Sequence, residues 1–196
     1  MEKKYRLLEN DTILRDGRKL YRIEALRNIR SDVRRGSQGG YVESEANLSH
    51  EGRCWVYDNA CAYEDARVEG DALLYEKATL RGKAKLIEKA TLWATVIVQG
   101  EAIIGGESVL GDQVVVGGRA ILKGHVSLIK KVHVGGNAYL EGDDPRELVI
   151  QGTTMIHGNT IIQGYGFFPE KDAILETGSF RLGEDDETTK KGGLSR

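Results

Sequence analysis

The 196-residue chain is short of the residues that mark several protein classes. It has two prolines, two cysteines, 7% aromatic residues and a formal net charge of −2. So little proline excludes collagen-like and polyproline segments. Cys54 and Cys61 stand seven apart with no further cysteine, which excludes a disulfide scaffold and a cysteine-based zinc site. No apolar run approaches the length of a membrane span, and the start MEKKYRLLEND lacks the apolar core of a signal peptide. A protein without membrane association, in the cytoplasm of its host, is the expectation. The near-zero charge hides an asymmetry. Residues 1–40 carry eleven basic and six acidic side chains, and the remainder is acidic. A solvated basic cap accounts for this more economically than an anionic partner.

What the chain does have is 25 glycines and a repeat. From Cys54, steps of six give Ala60, Ala66, Ala72, Ala78, Ala84 and Ala90, and continue to Ala138 through small or β-branched residues. Two residues further on runs an apolar column: Val56, Ala62, Val68, Leu74, Leu80, Leu86 and onward to Leu140. Two further still, Gly alternates with Asp and Glu. Six residues are a non-integral number of α-helical turns, so a helix cannot keep these columns on one face. The period is too short for a strand and its own return. A single-stranded parallel β-helix satisfies it. One small and one large residue point inward on each short strand, the Gly or acidic position turns a corner, and three strands close an 18-residue triangular coil. The register breaks at Asp143-Asp144-Pro145-Arg146 and resumes at Leu148, four residues late. The expected organisation is an N-terminal capping segment (1–47), an array (48–164) with a loop insertion at 143–147, a C-terminal cap (165–183) and a flexible tail (184–196). About six turns at roughly 4.8 Å give a prism some 29 Å long.

The ends of such an array are open sheet edges that need covering. Residues 5–8, 12–15 and 19–23 read as strands, with Asp16-Gly17 as a hairpin turn. Residues 24–35 read as a helical turn or two. Residues 173–182 read as a last strand or short helix folding back beyond Phe167-Phe168-Pro169.

Five units, among them Val68-Glu69…Ala72, Leu110-Gly111…Val114 and Val134-Gly135…Ala138, follow the motif of the hexapeptide-repeat family, which the chain resembles. That resemblance implies a left-handed β-helix. The columns themselves leave a right-handed, bactofilin-like winding open. The leader segments KYRLLENDTI, LYRIEALR and GGYVESEANLSHEGRCWVYDNA resemble a group of phage- and prophage-encoded hexapeptide-repeat proteins of largely unassigned function. This implies a viral context and supplies no reaction.

Many left-handed β-helices are acyltransferases, which pair a general-base His with coenzyme A and a long loop. The four histidines here are His50, His125, His133 and His157. His125 sits at a corner, and His133 and His157 fall on one face a turn apart once the insertion is subtracted. A four-residue insertion makes no lid, and no three His share a spacing suited to zinc. No catalytic residue, cofactor or metal is therefore expected. An outward stripe stands out instead. Folding the sequence at 18 aligns Trp55, Leu73 and Val109, and two places along Tyr57, Tyr75, Trp93 and Ile129. This patch is the expected interface with a protein partner or with further copies as a dimer or trimer. A net −6 over residues 41–183 is too mild to favour nucleic-acid mimicry. The expected function is a non-catalytic phage or prophage binding protein, such as a host-takeover or counter-defence inhibitor. The alternative is a hexapeptide-repeat acyltransferase-like enzyme using coenzyme A, its substrate near His133 or His157.

Overall fold

A computed structural model describes residues 2–168 and 173–183. The chain is an all-β parallel solenoid of about eight turns, with no α-helix among the described residues. Strand β1 (Tyr5–Arg15) pairs antiparallel with β2 (Arg18–Ala25), and β2 pairs antiparallel with β3 (Gln38–Val42). The β1–β2 turn is Asp16-Gly17, at φ +48° and +75°. Two consecutive left-handed residues match the right-handed twist of a hairpin. β3 then pairs parallel with Cys61–Ala62, so one strand joins the antiparallel leader to the parallel coils.

From there three faces repeat. The first stacks Cys61–Ala62, Thr79–Leu80, Ile97–Val98, Val115–Val116 and His133–Val134. The second stacks Trp55–Val56, Leu73–Leu74, Thr91–Leu92, Val109–Leu110 and Val126–Leu128. The third stacks Arg67–Val68, Lys85–Leu86, Ile103–Ile104, Ile121–Gly124 and Tyr139–Gly142. Both inward columns are sealed: Ala72, Ala84, Leu80, Leu92 and Ile104 are all fully buried. Each large aliphatic contributes roughly 1.5–3 kcal/mol. Where the small column carries a hydroxyl, the hydroxyl stays satisfied. Ser108, Thr154 and Thr160 donate to the carbonyls of Gly105, Gln151 and His157 at 2.7–2.8 Å.

The corners explain the third column. From Asp58 to Gly136 its residues sit at positive φ whether or not they are glycine, including Asp58 (+51°), Glu64 (+60°), Glu76 (+58°), Ala94 (+59°) and Asp112 (+57°). At most of these the carboxylate offsets the strain by binding the next coil. Asp58 accepts from Glu76 N at 3.0 Å, Glu64 from Gly82 N at 2.6 Å and Asp112 from Lys130 N at 2.9 Å. Acidic residues alternate with glycine because both solve a left-handed corner. One relieves it by lacking a Cβ, the other by a hydrogen bond across coils.

Three expectations need correction. The solenoid has about eight turns rather than six, because coiling begins at Tyr41–Val42 and ends on the strand Ile174–Arg181, which pairs parallel with Met155–Gly164. The first coil hid its register in two extra residues between Leu48, which bridges to Val68, and Trp55, which pairs with Leu73; the step before them carries a 3₁₀ helix, Glu45–Asn47, capped by Ser44. There Asn47 Nδ2 donates to the carbonyls of Glu64 and Ala66, both at 2.9 Å. The C-terminal segment is a strand, so its helical alternative falls. Residues 24–35 also form no helix. Beyond β2 the chain runs in bends in which Ile29 N bonds Val33 O, and Asn28 Oδ1 takes Arg35 N. Asn28, Ser31 and Asp32 compete for the backbone bonds a helix would need, and Ile29 and Val33 turn into the core. The register change at the insertion is visible as Val126 pairing Leu148. Pro169 and residues 184–196, read above as part of the repeat break and as a flexible tail, lie outside the described residues.

Two substitutions test this architecture by chemical denaturation. Ala84→Asp buries an unpaired charge and should unfold the chain, whereas Lys83→Asp, on an exposed side chain, should cost less than about 1 kcal/mol. Ala94 is a left-handed corner whose side chain can make no hydrogen bond, so Ala94→Gly should stabilise by about 0.5–1 kcal/mol.

Candidate functional site

The outward stripe divides along its length. Its registers are those of the second face: Trp55 opposite Leu73, Leu73 opposite Thr91, Thr91 opposite Val109. Tyr57 and Tyr75 stack with ring centres 4.4 Å apart and planes 13° from parallel. The Trp93 indole lies across Gly111, where any Cβ would come within 2.1 Å of the ring. Trp55, however, is fully buried and Leu73 nearly so. Tyr5 meets Trp55 edge-on at 6.4 Å, Ile29 and Val33 belong to the same core, and Tyr57 Oη donates to Asp32 at 2.8 Å. Burial, reinforced by Asp32, raises the Tyr57 phenol far above its ordinary range. The leader thus covers the first two rungs of the stripe. Half-buried Tyr75, Trp93, Val109 and Ile129 remain on the surface beyond it.

The sequence reading missed comparable apolar positions on the other faces: Ile97 and Val115 on the first, Ile103, Ile121 and Tyr139 on the third, all half-buried. Folding at 18 would have aligned them too. Exposed Arg67 and Lys85 occupy only the early rungs of the third face.

Each histidine has a distinct surrounding. His50 stacks on Tyr5 at 4.5 Å, accepts from Lys4 N through Nδ1 at 3.1 Å, and sets Nε2 3.4 Å from Glu45. It fastens the start of the chain. His133 is exposed and registers with Met155, while His157 lies over Gly135, two residues further along the neighbouring rung. His125 differs. Its Nε2 lies 3.5 Å from Asp144 on the inserted loop and 3.9 Å from Glu107, one coil back. Glu107 accepts from Lys89 Nζ at 2.6 Å, which together with the Lys89 charge holds its carboxyl below the usual range. Glu88 accepts from Gly106 N at the same corner. These groups line an open hollow of about 330 Å³.

Lys4 is wholly buried, its ammonium donating to the carbonyls of Glu51 (3.3 Å) and Cys54 (2.9 Å) and to Cys54 Sγ (3.1 Å). Burial lowers the Lys4 pKa, and it raises those of the Cys54 and Cys61 thiols, with Lys4 partly opposing the shift at Cys54. Neither thiol is set up as a nucleophile. Among the described residues no group of three or more His, Cys, Asp or Glu is arranged to hold a metal ion, and no helix is long and apolar enough to cross a membrane.

No protein-family model matches the chain. An acetyltransferase of Escherichia coli (strain K12) described as uncharacterized, YdcK, is 38% identical over 77 residues, covering 35% of this chain and 23% of that protein. The chain therefore spans about a quarter of the length of this curated relative. Together with the solenoid, this likeness fits a hexapeptide-repeat protein.

The covering of the stripe is testable. Trp55→Ala should cost about 3–5 kcal/mol in denaturant titrations, the loss expected for a buried indole. Trp93→Ala, on the half-exposed part, should cost less than half of that.

Proposed function

We propose that the chain is an acetyltransferase-like hexapeptide-repeat protein with a left-handed winding, and that the corner hollow at His125 is where an acyl acceptor meets its base. The likeness to the Escherichia coli acetyltransferase carries this reading. The geometry supports it in one respect: His125 is the histidine flanked by two carboxylates beneath an extruded loop. The Asp144 carboxylate, 3.5 Å from Nε2, would favour the tautomer protonated on Nε2 and leave Nδ1 as the proton acceptor, the role of the orienting carboxylate in a histidine dyad. His125 would then take the proton that the acceptor sheds as its nucleophilic atom bonds the acetyl carbon, the carbon–sulfur bond of the acetyl thioester breaks and the sulfur leaves as thiolate, protonated to the free thiol. With Glu88, Glu107 and Asp144 around one ammonium, Lys89, which is already paired, the hollow suits a cationic amine acceptor. The same charges make it a poor seat for the diphosphate of coenzyme A, so no step is assigned through that group.

A second reading, a non-catalytic protein that docks on another macromolecule, would use the half-buried Tyr75, Trp93, Val109 and Ile129 beyond the leader. The two separate in one assay. Incubation with acetyl-coenzyme A and a panel of polyamines and amino sugars should release free thiol. His125→Ala should slow this by about 10²–10⁴-fold with an unchanged circular dichroism spectrum. If no amine is turned over and no saturable acetyl-coenzyme A binding is seen by calorimetry, the docking reading stands.

A further inference from the structure

The excess basic charge of the leader is not spread evenly. Around the hairpin, Lys3 pairs with Glu45, Arg6 with Glu24, Arg18 with Glu43 and Arg22 with Asp11, at 2.6–2.7 Å. In the bends after β2 the pairing stops. Among the described residues, Arg27, Arg30, Arg34 and Arg35 have no carboxylate within ion-pairing reach. Arg27, Arg34 and Arg35 are exposed, and Arg30 is half-buried, its Nη1 donating to Arg53 O at 3.2 Å. Their backbone is nevertheless fixed. Ile29 N bonds Val33 O, Gly36 N bonds Ala25 O and Arg34 N bonds Ser37 Oγ, while Ile29 and Val33 are buried. Four like charges held this close repel one another in the free protein, and an anionic partner relieves that repulsion.

The bend sits at the head of the second face. Asp32 accepts from Tyr57 Oη at 2.8 Å, and Ile29 and Val33 share a core with Trp55. Beyond it the two outward columns carry no charge: Leu73, Thr91, Val109 and Ser127 in one, Tyr75, Trp93, Gly111 and Ile129 in the other. At the flanking corner the carboxylates of Asp58 and Asp112 are bound to backbone N–H groups of the next coil. The aromatic rings keep surface for stacking. Tyr57 stacks on one face of Tyr75, and Trp93 turns away from both to lie across Gly111. Tyr75 and Trp93 are each only half-buried.

We infer that this surface binds single-stranded nucleic acid, with phosphates on Arg27, Arg30, Arg34 and Arg35 and bases stacked on Tyr75 and Trp93. A guanidinium grips phosphate through parallel N–H donors, and every base has a π face that an aromatic ring accepts. An acidic peptide would use the arginines and leave the rings idle. A duplex keeps its bases stacked inside and would do the same. The flat face suits a polymer lying along it, because one-sided contact is repeated at successive rungs. The inference does not rest on acyl transfer at His125, and it names a partner for the docking surface of the second reading.

Fluorescence anisotropy on the full chain tests it, with labelled oligo-dT and oligo-U of about 20 nucleotides as probes. The expected result is saturable binding with a Kd tighter than about 100 µM at physiological salt. The tighter of the two probes tells whether the strand is DNA or RNA. The triple change Arg27→Gln/Arg34→Gln/Arg35→Gln should weaken binding and flatten the log–log salt dependence by about 2, near 0.7 per lost phosphate contact. Trp93→Ala should weaken binding roughly 5- to 150-fold and leave the salt slope unchanged. The triple variant should also leave thiol release from acetyl-coenzyme A unchanged, so failure here and failure of the acyl-transfer reading are separate results. Circular dichroism checks that each variant keeps its coils. Absence of saturable binding overturns the proposal. So does equal affinity for duplex DNA, or displacement by polyglutamate at equal charge, since either leaves a purely electrostatic surface. A Trp93→Ala variant that binds as before overturns it too.

Discussion

Everything in this molecule depends on each coil lying in register on the next. The backbone ladder and the stacking of inward side chains are one constraint seen twice. Ile97 N reaches Val114 O only if Val98 sits on Val116, and both hold for coil after coil. The interior is narrow, so it is filled by alanine at one position and an aliphatic at the next. The corners must be left-handed to close a coil in 18 residues. A carboxylate that reaches across to the following coil, as Glu64 does to Gly82, turns a strained corner into a further cross-coil bond. Local strain and long-range cohesion are thus settled by the same side chain.

That regularity leaves little of the surface free to specialise. Departures from it are confined to places where the repeat is interrupted, and chemistry gathers there. The leader adds Tyr5, Lys4 and His50, whose polar atoms are all spent on fastening it to residues 45–54. The insertion at 143–147 adds Asp144 beside His125. A solenoid face is flat and cannot bind a small ligand on many sides. A corner overhung by a loop can, which is why the hollow at His125 holds more chemical promise than the aromatic stripe.

The stripe shows how the same residues change meaning with their cover. Trp55 belongs by register to an outward column that runs through Leu73 and Thr91 to Val109 and on, and Tyr57 to the column two places along. With Tyr5, Ile29, Val33 and Asp32 over them they are interior, and only the later members of the columns meet solvent. Outward on a coil is therefore not the same as exposed on the protein.

The period of six by itself determined the parallel coils, the identity of the inward columns and the corner positions, because no other backbone geometry keeps Ala84 and Leu86 in step with Ala102 and Ile104. It also contained the loop over His125, since 18 residues separate 125 from 143. That signal went unused while the histidines were compared only with one another. The length of the solenoid was not legible, because Tyr41–Val42 and Ile174–Leu175 join the ladder through backbone pairing, which any side chain permits. Nor was the burial of Trp55, which depends on where a non-repeating leader comes to rest. Repetition writes itself into sequence as a pattern of side chains. The docking of a unique segment is decided by the surface it finds, and only the folded chain contains that surface.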